Sequence, residues 1–154
     1  MPETIDKFQD LKYNKDTKDK FAALEKIFYG YSEYKSQNPN CVPSDYRKAL
    51  KLKKHGVKGE IHIPAQRVNV KKYSYAEPHI NQQRAHGVTR TEAESYIENA
   101  IISIVKWNGT SIQYFSAKGA TYVNIEKESI STSYKSDEFD ENVRNMLKEV
   151  LNEG

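Results

Sequence analysis

Four short runs between Ile101 and Tyr134, rich in β-branched or alternating residues and separated by turn signals, constrain the fold more than any other feature. Ile101-Ile102-Ser103-Ile104-Val105 stops at Trp107-Asn108-Gly109, where Asn-Gly is the commonest chemistry of a tight hairpin turn. Ser111 to Phe115 makes a second strand, Lys118-Gly119 a second turn, Thr121 to Ile125 a third strand and Ser129 to Tyr134 a fourth. Consecutive strands of this kind predict an antiparallel meander. Ahead of it, Thr89 and Glu92 have capping-box spacing, and Ala93, Tyr96, Ile97, Ala100 and Ile101 follow at helical intervals. Behind it, Ser136 is placed to cap a helix with Asp137 and Glu138 in its first turn and Phe139, Val143, Met146, Leu147, Val150 and Leu151 on one apolar face. The expected class is α+β: N-terminal helices, a four-stranded antiparallel β-meander, and a packed C-terminal helix.

The first half differs in charge and in pattern. Residues 1–75 hold 16 Lys/Arg against 9 Asp/Glu, whereas residues 76–154 hold 8 against 12, so the formal net charge of +3 conceals a basic half and an acidic half. Most of the excess falls in residues 47–72, which contain nine basic residues and only Glu60 as an acid. Asp16 to about Lys35 reads as a helix striped with Phe21, Leu24, Ile27, Phe28 and Tyr31, ending before Asn38-Pro39-Asn40. Ser44 is placed to cap a short helix, Asp45 to Lys54, with Tyr46 and Leu50 aligned, closing at His55-Gly56. Residues 56–75 read as connector, with Ile61-His62-Ile63 and Arg67-Val68-Asn69-Val70 as short extended pieces. The division expected is therefore a basic helical extension and connector over 1–75 and an α+β domain over 76–154.

Composition excludes several classes. The longest nearly apolar run, Ala100 to Val105, is far short of the roughly 20 residues of a spanning helix, and the first 20 residues carry ten charges where a secretory leader would be apolar. No membrane association and no signal peptide are expected. Cys41 stands alone, so no intramolecular disulfide or cysteine-rich zinc site forms. A Gly-rich phosphate loop, a G-x-S-x-G elbow and H-E-x-x-H are missing, and no metal or cofactor is expected.

What remains is His79-Ile80-Asn81-Gln82-Gln83-Arg84-Ala85-His86-Gly87, two histidines and an arginine just before the capped helix. Such a set suits metal-free phosphodiester cleavage, in which a ribose 2′-hydroxyl attacks its neighbouring phosphate. That chemistry needs a base, an acid for the departing 5′-oxygen, and a cation or hydroxyls on the phosphate. Histidine serves both proton roles near neutral pH; Arg84 can hold a phosphate bidentately, with Thr132 and Tyr134 adding hydroxyls. The same spacing also suits a packing or capping pair. The basic segment, with Lys48, Lys51, Lys53, Lys54, Lys58, Arg67, Lys71 and Lys72, is either a nucleic-acid contact or a solvated face. Tyrosines numbering 11 invite base stacking, but strand tyrosines usually bury the ring and keep the hydroxyl wet.

A larger set of motifs carries a resemblance. His62-Ile63-Pro64, His79-Ile80-Asn81, Arg84-x-His86-Gly87-Val88-Thr89, Glu92-Ala93, Trp107-Asn108-Gly109, Gly119-Ala120-x-Tyr122-Val123, Ile130-x-Thr132-x-Tyr134 and Phe139-Asp140-Glu141 together resemble the C-terminal region of minor head (head morphogenesis) proteins of Gram-positive phages and prophages. That region is classed with phage-type nucleases of the barnase/EndoU/colicin/RelE superfamily. The resemblance implies helices followed by a four-stranded antiparallel sheet, metal-independent ribonuclease chemistry, and His79, Arg84 and His86 as catalytic candidates with Thr132 and Tyr134 opposite them on the last strand. It implies a virion or bacterial host cytoplasm as the setting.

Two functions are thus expected. One is a phage- or prophage-derived ribonuclease domain whose basic segment guides nucleic acid, RNA foremost, toward His79, Arg84 and His86. The other is a non-catalytic minor head or host-interaction module that binds a phage or host protein through the aromatic first helix, with Phe28 and Tyr31, and the acidic last helix.

Overall fold

The structure, a computed structural model, describes residues 30–151. The chain divides into two units, Met1–Gln37 and Asn38–Gly154. Residues 30–37 of the first are helical and stop before Asn38-Pro39-Asn40; the stripe residues Phe21, Leu24, Ile27 and Phe28 lie outside the described residues. Among the described residues no helix is long and apolar enough to cross a membrane.

The second unit is α+β. Helix α1 (Pro43–Lys54) is followed by β1 (Glu60–His62), β2 (Ser74–Tyr75), a π-helix (Pro78–Gln83), α2 (Arg90–Glu98), β3 (Ile102–Lys106), β4 (Ser111–Phe115), β5 (Gly119–Asn124), β6 (Ser129–Lys135), a 3₁₀ turn (Ser136–Glu138) and α3 (Glu141–Leu151). The four runs read from the sequence become β3 to β6, each antiparallel to the next. The sheet is nevertheless not a four-stranded antiparallel meander. It has six strands in the order β1-β3-β4-β5-β6-β2, with β1 antiparallel to β3 and β2 parallel to β6, so it is mixed. β1 overlaps the extended piece read at Ile61-His62-Ile63, whereas β2, two residues long, is too short to show a period; both lie in the stretch read as connector. The sheet thus draws strands from both sides of residue 75. Arg67-Val68-Asn69-Val70 is not a strand.

Local chemistry explains the elements. Thr89 and Glu92 form the expected capping box, with Glu92 N donating to Thr89 Oγ1 at 3.1 Å and Thr89 N to Glu92 Oε1 at 3.0 Å. The β3–β4 turn closes through Thr110 N to Trp107 O at 3.2 Å, with Asn108 and Gly109 both at positive φ (55° and 88°), the conformation for which Asn-Gly is chosen. Two expected caps move. At α1 the cap is Val42, whose N–H donates to the Asp45 carboxylate at 3.0 Å with Pro43 opening the helix, so Ser44 lies inside it. Its buried face is Ala49 and Leu52, while Leu50 is exposed. Gly56, at φ 95°, ends α1 with Gly56 N to Lys53 O and Val57 N to Leu52 O. At α3 the cap is Asp140, whose Oδ1 accepts from Val143 N at 2.8 Å; Ser136 opens only the 3₁₀ turn, and Phe139 is extended and buried ahead of the helix.

The sheet has helices on both faces. On one, Ala93, Tyr96 and Ile97 of α2 pack with Ile80 and Val88 against Ile112, Tyr114, Val123 and Ile130. Thr121 Oγ1 donates to Ala93 O at 2.8 Å, pinning helix to sheet. On the other, α1 and α3 are joined by Lys51 Nζ to Glu149 Oε1 at 2.6 Å, and Lys51 holds that carboxyl below its usual range. A bulge re-phases β6: Tyr122 faces Thr132 but Val123 faces Ile130, leaving Ser131 unpaired with its hydroxyl donating to Tyr122 O at 3.1 Å. Ile130 consequently enters the α2 core, and Thr132 and Tyr134 turn to the opposite face with Tyr122.

Two buried polar groups carry predictions. Tyr114 is fully buried, its Oη has no hydrogen-bond partner among the described residues, and burial drives its phenol far above the ordinary range. Tyr114→Phe should therefore raise stability by about 1 kcal/mol, read as a higher urea midpoint at unchanged slope; a lower midpoint would reveal a partner for the hydroxyl. His62, 1% exposed, donates from Nδ1 to Asn38 Oδ1 at 2.6 Å, and its Nε2 stands 3.2 Å from Glu60 Oε1. Burial lowers its pKa from 6.5, outweighing Glu60, which raises it. The unfolded chain then binds the proton first, so this site leaves stability untouched above about pH 6.5 and reduces it as pH falls below that value toward the lower folded pKa. Urea midpoints measured from pH 8 to 5 should show that decline, and a His62→Gln variant should flatten it; a midpoint rising on acidification would mean that Glu60 dominates.

Candidate active site

The segment preceding α2 is built to present one side chain. Ile80 of the π-helix is fully buried and anchors it, and His86 N donates back to Ile80 O at 3.0 Å. Ala85 and Gly87 take positive φ (53° and 68°), which throws the chain into a tight loop around His86. Asn81 holds that loop as a strand partner would: its Oδ1 accepts from Val88 N at 2.8 Å and its Nδ2 donates to Val88 O at 2.7 Å and Glu77 Oε1 at 2.8 Å. Tyr75 Oη donates to Val88 O as well, at 2.5 Å.

His86 lies against the second half of β6. Its Nδ1 is 2.9 and 3.0 Å from the two carboxylate oxygens of Glu138, and its ring sits 5.8 Å from that of Tyr134, tilted by 45°. An ionised carboxylate only accepts, so Nδ1 carries a proton; in the neutral ring the lone pair is then on Nε2, which makes no hydrogen bond among the described residues. The imidazole is 15% exposed. Tyr134 in turn stacks edge-on to Phe139 at 5.9 Å and to Tyr122 at 5.6 Å, and the two phenol oxygens are 2.6 Å apart. Burial pushes both phenols up, so both are neutral donors.

The residues nominated from the sequence separate here. His86 and Tyr134 come together, and Thr132 shares Tyr134's face beside Tyr122. His79 and Arg84 make no side-chain contact with them: His79 Nδ1 pairs with Gln83 Oε1 at 3.1 Å, and Arg84 is exposed. Glu138, the partner of His86, was read only as a first-turn acid of the last helix, and nothing local ties it to a histidine 52 residues earlier. Of the basic set, Arg67 is spoken for, donating to Ile97 O at 2.8 Å and to Glu98 O at the C-terminus of α2, and Lys51 is paired with Glu149. Lys48 is half-buried, and Lys53, Lys54, Lys58, Lys71 and Lys72 are exposed. Among the described residues no group of three or more His, Cys, Asp or Glu side chains is arranged as metal ligands. Comparison with protein-family models, curated proteins and solved structures found no match to this chain.

Proposed function

We propose that this chain is a phage- or prophage-derived nuclease-fold domain that cleaves RNA without a metal, His86 acting as the base. The observation that carries this reading is the His86–Glu138 pair, a half-buried imidazole whose Nδ1–H is fixed by a carboxylate and whose Nε2 is unengaged. Such a carboxylate sets the tautomer and stabilises the imidazolium formed on proton uptake. Nε2 takes the proton of a ribose 2′-hydroxyl while that oxygen bonds to phosphorus; the bond to the 5′-oxygen breaks, and that oxygen receives a proton. Tyr134 and Tyr122 share one hydrogen bond, so one of the two neutral phenols keeps an O–H to donate to a phosphoryl oxygen, and the exposed Arg84 supplies a cation at the same loop. The proton for the 5′-oxygen is supplied by solvent, since His79 is paired with Gln83 and does not meet His86.

The test is mixed RNA incubated in EDTA with the wild-type protein and with His86→Ala, followed by end-group analysis. Products ending in 2′,3′-cyclic phosphate, lost with His86, are the expected result. Absence of cleavage by the wild-type protein overturns the reading. A binding module for a phage or host protein is the second reading, favoured by Trp107, 73% exposed at the tip of the β3–β4 hairpin.

A further inference from the structure

The sheet face that carries Tyr122 and Tyr134 is not fully covered. Between α1 and α3 a groove of about 1110 Å³ opens, floored by Ile104, Gln113, Phe115 and Tyr122. Its volume exceeds that of most small-molecule sites. Lys58, Lys106, Lys148 and His55 stand around it, against Asp140 and Glu149. Glu149 is balanced by Lys51 at 2.6 Å, and Asp140, which caps α3 through Val143 N at 2.8 Å, keeps its charge and offsets one lysine. Lys58, Lys106 and Lys148 make no ion pair among the described residues, so the groove carries a net positive charge over a partly aromatic floor. Only Lys58 belonged to the basic segment read from the sequence; Lys106 and Lys148 come from the acidic half of the chain, and the fold gathers them.

We propose that this groove is a binding track for single-stranded RNA, holding the stretch that flanks the cleaved phosphate. The inference deepens the reading above and rests on it for the class of ligand. Cations on the rim suit a phosphate backbone, and the half-buried Tyr122 ring with the Gln113 amide suits nucleobases, with Phe115 buried beneath them. Tyr122 links the two sites, lining the groove while its hydroxyl bonds that of Tyr134, whose ring touches His86.

The probe is a fluorescein-labelled 2′-O-methyl RNA of about 12 nucleotides, which has no free 2′-hydroxyl along its length, so binding is read independently of cleavage. Replacing Lys58, Lys106 and Lys148 together by Gln should weaken binding about tenfold or more at low salt and lower the slope of log affinity against log salt by about two. A Lys→Arg triple should retain both, and a control triple at Lys118, Lys127 and Lys135, exposed and outside the groove, should leave them nearly unchanged. Lys58→Gln and Lys148→Gln singly, at exposed positions, give smaller shifts in the same direction if the triple does not fold. Equal loss in the control triple, unchanged binding in the groove variants, or tighter binding of a hexaglutamate peptide than of the RNA probe would each overturn the proposal. RNA cleaved normally but bound without the groove lysines would leave the nuclease reading standing alone. Lysine-dependent binding without cleavage would leave the groove standing alone.

Discussion

Gly119→Ala should lower the melting temperature by roughly 10 °C, corresponding to about 3 kcal/mol. Gly119 opens β5, and a methyl group there would run into the Tyr96 ring and stand 2.7 Å from Tyr134 O. Neither obstacle can yield. Tyr96 is buried in the α2 core, and Tyr134 O belongs to the strand that pairs with β5. The cost is steric alone, since Gly119 does not have a positive φ. Gly109→Ala is the contrast: φ is 88° with open space around it, so only the backbone penalty of about 1 kcal/mol applies. Thermal unfolding of both variants checks the pair; equal losses would mean that the Tyr96 ring does not close over Gly119.

His86→Ala should reduce RNA cleavage by between about a hundredfold and ten-thousandfold, the range of a positioned acid–base group. Glu138→Gln should cost roughly a hundredfold, because the amide oxygen still accepts from Nδ1–H but no longer carries the charge that stabilises the imidazolium. The informative result is the double variant. If Glu138 acts only through His86, removing both should be no worse than removing His86. Steady-state rates with a short RNA substrate decide this, with thermal unfolding as a check that each variant folds; additive losses would show Glu138 acting on the substrate independently.

Legibility from sequence followed the distance between partners. The strands β3 to β6 and their Asn-Gly turn were visible because each hairpin is closed within about a dozen residues, and the Thr89–Glu92 cap because both halves lie in one helical turn. What could not be seen was set by remote pairing. Ser74 and Tyr75 have no strand pattern and become a strand only by lying beside Ser129 and Ile130. Strand alternation alone would put Ile130, Thr132 and Tyr134 on one face, and the Ser131 bulge divides them. At the site, His86 and Tyr134 were both nominated, whereas Glu138 was not, because its role depends on a fold that brings residue 138 to residue 86. Arg67 counted as a phosphate cation by charge, yet in place its guanidinium closes the carbonyl end of α2.

The strand order β1-β3-β4-β5-β6-β2 also dictates a history for each molecule. Both edge strands precede the central hairpins in the chain, and β2 can find its parallel neighbour only after β6 exists. Closing such long loops is slow compared with zipping adjacent hairpins. His86 leaves the ribosome ahead of both its partners, since Tyr134 and Glu138 lie about 50 residues further along the chain. Partly made or truncated copies that end before residue 134 carry the histidine without its setting, so a cell making them would hold an incomplete site until residues 129–138 have folded back on residues 74–86.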